Sequence, residues 1–426
     1  MIKIYNGKDT DIREVLLRRR GDAPDVTAQV SEIIAVVRCK GDAALFDYAR
    51  QFDKAQLTNL QVSPVEIDAA CKSCGDDFMQ LLTEAAANIR AFHQKQKRIG
   101  FVVNDRQGVV LGQKIIPIAK AGIYVPGGTA AYPSSVLMNA LPAQIAGVEQ
   151  IIMATPPLPD GSVDPAILAA AKVAGVAAVF KVGGAQAIAA LAYGTESIPQ
   201  VDKIVGPGNI YVATAKRLVY GVVGIDMFAG PSEIMIIADE TANVRYLAAD
   251  LLSQAEHDKL ASSILLCLSQ AQAEAVAVEV ERQLATLPRQ EIARASIDNY
   301  GKIIVLADLE QCLEYANLFA PEHLELAVSQ PFALLGGVKN AGSIFLGQYA
   351  PEALGDYFAG PNHTLPTDGT CRFSSPLSVD DFIKKSSFIY YDQQALSLEQ
   401  ERIRSFAERE KLQAHANSVA VRFENK

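Results

Sequence analysis

From about residue 108 to residue 346 the chain alternates short apolar runs with Ala/Leu-rich stretches, and this restricts the possible folds more than any other feature. Strand candidates are 121–125 (AGIYV), 150–154 (QIIMA), 176–180 (VAAVF) and 202–205 (DKIV), then 233–238, 263–268, 302–306, 323–328 and 342–346. Helical stretches such as 164–174, 184–193, 243–256 and 272–286 lie between nearly all of them. Strands that are apolar throughout are buried on both faces, which predicts parallel sheets covered by helices, an α/β fold. Gly/Pro-rich segments at YVPGGTAAYP and FAGPSE divide the chain into two parallel-sheet domains. The first joins 21–122 to 233–379 and the second spans 123–232. Residues 1–20 and 380–426 read as helical N- and C-terminal extensions, and 347–376 as a long Gly/Pro-rich loop of the kind that often carries function.

Charge and apolar content exclude several classes. A net charge of −9 without a basic run argues against nucleic acid as a partner. No run of eighteen uncharged apolar residues occurs, so no membrane span is expected. The start, MIKIYNGKDTDIREVLLRRR, is charged and lacks the apolar core of a signal peptide. Cys71 and Cys74 form a C-x-x-C, open to a redox or half-zinc reading, but no second pair follows and 67–82 has the pattern of an amphipathic helix. The six cysteines are expected to be reduced thiols of a cytoplasmic protein.

Imidazole is rationed to five positions, and four of these lie in polar clusters. Gln254 and His257 in SQAEH fall together on one flank of the apolar stripe of 243–256, close enough to reach one ion. They are either a polar helix edge or half of a metal site. Asp356 and His415 offer further ligands, and nitrogen with carboxylate and amide oxygen suits a divalent ion such as zinc. Glu322 and His323 follow Pro321 at the entry to a strand. They are either a surface acid beside a half-buried imidazole or an acid/base pair. Neighbours on a regular strand point to opposite faces, so sharing one site requires irregular backbone there.

Four glycine-rich segments, VPGGTAAYP, KVGGAQA, VGPGNIY and AGPSE, follow predicted strands. Each fits either tight turns or close approach of backbone to a ligand, and none is a G-x-G-x-x-G. Ser232 lacks a nucleophile elbow and suits substrate contact or turn capping. His363 is expected to orient its loop by hydrogen bonds, and His93, among Lys and Gln, to be solvated.

The ordered combination VPGG, VGGAQAIAALAYGTESIPQVDKIVGPGN, DMFAGPSE, DLLSQAEHD, PEHLEL, GDYFAGPNHTLPT and a closing AH-x-N resembles the histidinol dehydrogenase family over nearly the whole chain. The resemblance implies two Rossmann-like sheets in an NAD- and zinc-dependent, homodimeric oxidoreductase. Such an enzyme takes L-histidinol to L-histidine through the aldehyde and its hydrate. It places the zinc ligands on Gln254, His257, Asp356 and His415, and the acid/base pair on Glu322 and His323. Substrate contacts fall on Ser232, Glu410, His323 and the metal-site residues, with Tyr124, Gln186 and Asn209 near the dinucleotide. The residues themselves also admit a metal-dependent hydrolase using Glu322, or a non-catalytic two-domain binding protein. The first predicts activity without nicotinamide, and the second has no need of an acid/base pair.

Overall fold

The computed structural model describes residues 1–17, 24–127, 131–227 and 230–424. Contacts gather into two compact units: Met1–Gln96 with Ile118–Phe382, and Lys97–Pro117 with Ile383–Lys426.

The larger unit contains two parallel sheets. The first has six strands in the spatial order Lys3–Asn6, Lys302–Val305, Ser262–Cys267, Glu233–Ala238, His323–Ala327 and Ser343–Leu346. The Glu233–Ala238 strand is buried at every position, as a strand flanked by helices on both faces must be. Ile234 and Ile236 pack with Leu247, Leu251 and Leu252 of the Val244–Ala255 helix, while Met235 and Ile237 pack with Ala316 and Phe319 of the Leu309–Phe319 helix. The second sheet has five strands in the order Ala178–Lys181, Gln150–Thr155, Lys120–Tyr124, Lys203–Val205 and Gly224–Ile225. Here the chain starts centrally, winds outward to one edge, then returns to build the other, so the order reverses between Lys120–Tyr124 and Lys203–Val205. That switch point leaves a crevice beyond the carboxyl ends of the two strands. The helices 165–174 and 184–193 cover this sheet with small residues, Ala169, Ala170, Ala187 and Ala189 among them, all fully buried.

The smaller unit is a three-stranded antiparallel sheet, Ile383–Tyr391 beside Val109–Pro117 beside Phe101–Val103, followed by the helices Gln393–Arg409 and Gln413–Ala420. Both terminal extensions thus contain strands as well as helices, correcting the purely helical expectation. Residues 3–6 are an edge strand of the six-stranded sheet, and 383–391 pair with 109–117 over nine residues. The 347–376 segment, expected to be loop, carries the short helix Glu352–Tyr357. His93 is a further correction. It ends the Pro64–His93 helix fully buried, with Nδ1 2.7 Å from Gln96 Oε1, and burial lowers its pKa. Cys71 and Cys74 lie on that helix, partly buried against the core, and all six cysteines are free thiols.

Candidate active site

Helices that follow parallel strands run back antiparallel to them, so their carboxyl ends return to the amino ends of the strands. The Val244–Ala255 helix does this, delivering Gln254 in its last turn and His257 in the turn beyond, where the His257 N–H donates to the Gln254 carbonyl. His323 opens the His323–Ala327 strand, paired with Ile234 and Ser343, and alternation puts His323 and Glu325 on the same face. Glu352 and Asp356 stand four apart on the Glu352–Tyr357 helix, on one of its faces.

The acid/base candidates do meet. Glu322 precedes the strand and its Oε2 accepts the backbone N–H of Glu233 at 2.9 Å, while His323 Nδ1 lies 3.7 Å from the same carboxylate. The backbone irregularity the pair requires lies just upstream, where Ala320 ends the preceding helix at φ 54°. His323 Nδ1 is 3.0 Å from the Glu233 carbonyl, an acceptor that favours the tautomer with its proton on Nδ1. Its Nε2 is buried without a hydrogen-bond partner, 3.8 Å from Glu352 Oε1 and 4.0 Å from Asp356 Oδ1. A basic nitrogen left unpaired inside a protein is costly unless a ligand supplies the partner.

Around it lies an unusual density of buried carboxylates. Burial pushes Glu322 up to about 8. Glu352 and Glu325 are also held well above the usual carboxylate range, first by burial and then by neighbouring acids. Asp250, bonded to Glu325, is pushed by burial to about 6. Ser253 Oγ donates to Glu352 Oε2 at 3.0 Å, and the Glu352 N–H donates to Glu325 Oε1 at 3.0 Å. With its amide nitrogen toward Glu352, at 2.7 and 3.1 Å from the two oxygens, Gln254 keeps its carbonyl oxygen free. Burial lowers the His257 and His363 pKa values, so both rings are neutral and able to ligate.

His257, Glu352 and Asp356 each offer a ligand atom, all within 4.8 Å of one another. One imidazole nitrogen with carboxylate oxygens, and the Gln254 oxygen beside them, is a donor set that zinc accepts. The structure therefore brings together Gln254, His257 and Asp356, and adds Glu352, which the sequence reading missed. The signal was present: Glu352 stands four before Asp356, the spacing that puts both on one helical face. His415 lies in the smaller unit, exposed on the Gln413–Ala420 helix, and Glu410 caps the helix before it. Ser232 is half-buried at the start of the Glu233–Ala238 strand. His363 orients its loop as expected, with Nδ1 3.1 Å from the Asp356 carbonyl and Nε2 3.3 Å from Ser135 Oγ. It lines a cavity of about 200 Å³ together with His323, Phe345, Asp356 and Asn362.

A second, larger cavity of about 930 Å³ opens at the switch point of the five-stranded sheet, lined by Tyr124, Gly184, Gln186, Asn209 and Tyr211 among others. Tyr124 ends its strand, and its buried hydroxyl accepts the Gly184 N–H at 3.0 Å. Asn209 caps the Ile210–Val219 helix through the N–H groups of Tyr211 and Val212. Gly206, at φ 113°, passes so close to the Tyr124 carbonyl that a Cβ would lie 2.1 Å from it, so no other residue fits. Three of the four glycine-rich segments directly follow strands of this sheet. The fourth, AGPSE, lies farther beyond the edge strand Gly224–Ile225 and leads into the Glu233–Ala238 strand of the other sheet, so it sits at the entry to a strand as well as after one. Ala229 and residues 128–130 of these segments lie outside the described residues.

Two doubly wound sheets, one with a crevice at its switch point and the other with a buried imidazole–carboxylate cluster, define the α/β enzyme class. The profile of the histidinol dehydrogenase family matches residues 16–423. A histidinol dehydrogenase of Halalkalibacterium halodurans is 56% identical over 396 residues, 93% of each chain, and one of Bacillus cereus is 55% identical over 411 residues, 96% of each. The crystal structure of histidinol dehydrogenase from Elizabethkingia anophelis superposes with a TM-score of 0.94 at 41% identity, covering 99% of this chain and 98% of that one. The chain belongs to the histidinol dehydrogenase family and is an oxidoreductase.

Proposed function

We propose that this enzyme oxidises L-histidinol to L-histidine in two successive hydride transfers to NAD⁺, as one of the last steps of histidine biosynthesis in the cytoplasm. The observation that carries the reading is the unpartnered His323 Nε2, buried between Glu322 and the His257–Glu352–Asp356 cluster. His323 takes the hydroxyl proton as hydride leaves the alcohol carbon, giving the aldehyde, NADH and one proton. Water then adds to the aldehyde, Glu322 receiving a proton from it while protonated His323 gives its proton to the carbonyl oxygen, forming the hydrate. A carboxyl held near 8 exchanges protons close to neutral pH, as such a group must. His323 next takes a proton from the hydrate as the second hydride leaves, giving a second NADH and the carboxylic acid, which releases a further proton to become the carboxylate. Gln254, His257 and Asp356 would hold zinc, with His415 as a further ligand, and bound zinc supplies orientation of the substrate's imidazole and amine. Ser232 and Glu410 contact the substrate, and Tyr124, Gln186 and Asn209 the dinucleotide.

In this reading the division 21–122 with 233–379 carries the metal and acid/base residues and 123–232 the dinucleotide side, whose cavity residues within 29–53 of the first division also line. The site is completed in a homodimer, where Glu410 and His415 of one copy serve the other. In support, the helix Gln393–Arg409 leaves Leu398 74% and Phe406 70% exposed, an apolar face suited to a second copy. The hydrolase alternative is tested by the same assay as the proposal. NADH should form from L-histidinol and NAD⁺, stop after chelation and return with Zn²⁺. Metal-free protein with full activity, or turnover of histidinol without nicotinamide, contradicts the reading.

A further inference from the structure

Gln254 can offer a metal an oxygen in only one of the two orientations of its amide, which has an accepting end and a donating end. The side chain is 1% exposed, so solvent does not decide which way it lies. Glu352, 2% exposed, faces it. With its nitrogen toward Glu352 the amide donates to the two carboxylate oxygens at 2.7 and 3.1 Å, and its own oxygen is turned away from them. Reversed, the amide oxygen meets two carboxylate oxygens with no proton between them when Glu352 is ionised. A dication at the neighbouring ligand atoms favours that ionised form. The reversed amide also leaves the metal an NH₂ group, which has no lone pair to give. Glu352 is itself held by two elements. Ser253, beside Gln254 on the Val244–Ala255 helix, donates from Oγ to Glu352 Oε2 at 3.0 Å. The Glu352 N–H donates to Glu325 Oε1 of the His323–Ala327 strand at 3.0 Å, and Glu325 is bonded in turn to Asp250 of the same helix as Gln254. Buried hydrogen bonds thus tie together the elements that carry Gln254, His323 and Asp356.

We propose that Glu352 is a positioning residue of the metal centre: it accepts the Gln254 amide hydrogens, so that Gln254 presents oxygen to zinc, and it is not itself a zinc ligand. The proposal rests on the reading that Gln254, His257 and Asp356 hold zinc. The physical basis is general: a hydrogen bond to the far side of a ligand fixes which atom faces the metal, and its loss typically costs about 10–100-fold in metal affinity.

The test is the zinc affinity of the metal-stripped, full-length enzyme, measured by competition with a chromogenic chelator. Glu352→Gln keeps the size of the side chain but adds a donor that can hold Gln254 reversed. Zinc affinity should fall about 10–100-fold. In a Gln254→Glu background the side chain at 254 offers an oxygen whichever way it lies, so orientation no longer matters. There Glu352→Gln should cost less than about threefold, the non-additivity expected of residues that act through one another. A merely structural role for Glu352 would not depend on which side chain stands at 254. An equal loss in both backgrounds, as direct ligation by Glu352 would give, overturns the proposal, and so does an unchanged affinity in Glu352→Gln alone. His257→Asn distinguishes the underlying reading. If it weakens zinc binding while Glu352→Gln does not, the metal site stands and the positioning claim falls. If it leaves zinc affinity unchanged, the metal assignment falls and takes the proposal with it.

Discussion

At the residue scale, the account depends on an imidazole and a carboxyl with separable tasks. His323→Asn should slow oxidation of both alcohol and aldehyde by about 10²–10⁴-fold, because each hydride departure needs a base. Glu322→Gln should slow aldehyde oxidation more than alcohol oxidation, because only that step adds water. Separate steady-state assays with histidinol and histidinaldehyde decide it, and equal small losses on both substrates count against the assignment. Glu322 also carries a stability signature. Its folded pKa, about 8, lies above the value near 4.5 of the unfolded chain, so between these pH values the folded state binds the extra proton. The contribution of Glu322 to the stability of the metal-free protein should therefore fall as pH rises through that window, by at most about 1.4 kcal/mol per unit, and be constant outside it. Urea midpoints at pH 5.5 and 7.5 should differ more for the wild type than for Glu322→Gln; an equal difference would contradict the burial argument. Sequence spacing made Gln254, His257, Glu322 and His323 legible because each pair is local. Glu352 and Glu325 were missed because a carboxylate in an apolar neighbourhood looks no different in sequence from a solvated one. His93 was misread because its polar neighbours in sequence are not its neighbours in space.

At the element scale, the parallel strands were legible because burial on both faces leaves an uninterrupted apolar run. The Ile383–Tyr391 strand was not, since six of its nine residues are exposed and KKSS gives it no apolar alternation. Lys3–Asn6 escaped notice because a four-residue edge strand in a charged N-terminus has neither length nor period. One device tying elements together was equally invisible. Lys216, 3% exposed, pairs with Asp226, 1% exposed, and also donates to the Gly206 carbonyl at 3.0 Å. It pins the Ile210–Val219 helix to the glycine turn at the cavity. Lys216→Met leaves the buried Asp226 carboxylate without its cation, held only by the N–H groups of Gly206 and Met227, and should cost about 3–5 kcal/mol in stability. Chemical denaturation measures it, and a loss below about 1 kcal/mol would contradict a stabilising role for the Lys216–Asp226 pair.

At the scale of the whole molecule, sequence order could separate two sheets but not assign the terminal unit its partner. If His415 of one copy serves the other, the inactive variants His415→Ala and His323→Ala should complement in a doubly tagged heterodimer, restoring up to about half the sites. Activity no greater than that of either parent would mean that His415 acts within its own chain or not at all. The central claim is that one buried imidazole serves two hydride departures in a single site, and product stoichiometry tests it most directly. With L-histidinol and excess NAD⁺, absorbance at about 340 nm and histidine quantified in the same sample should give two NADH per histidine, with little free aldehyde, consistent with base catalysis at both steps. One NADH per histidinol consumed with accumulating aldehyde, or no NADH, would contradict it.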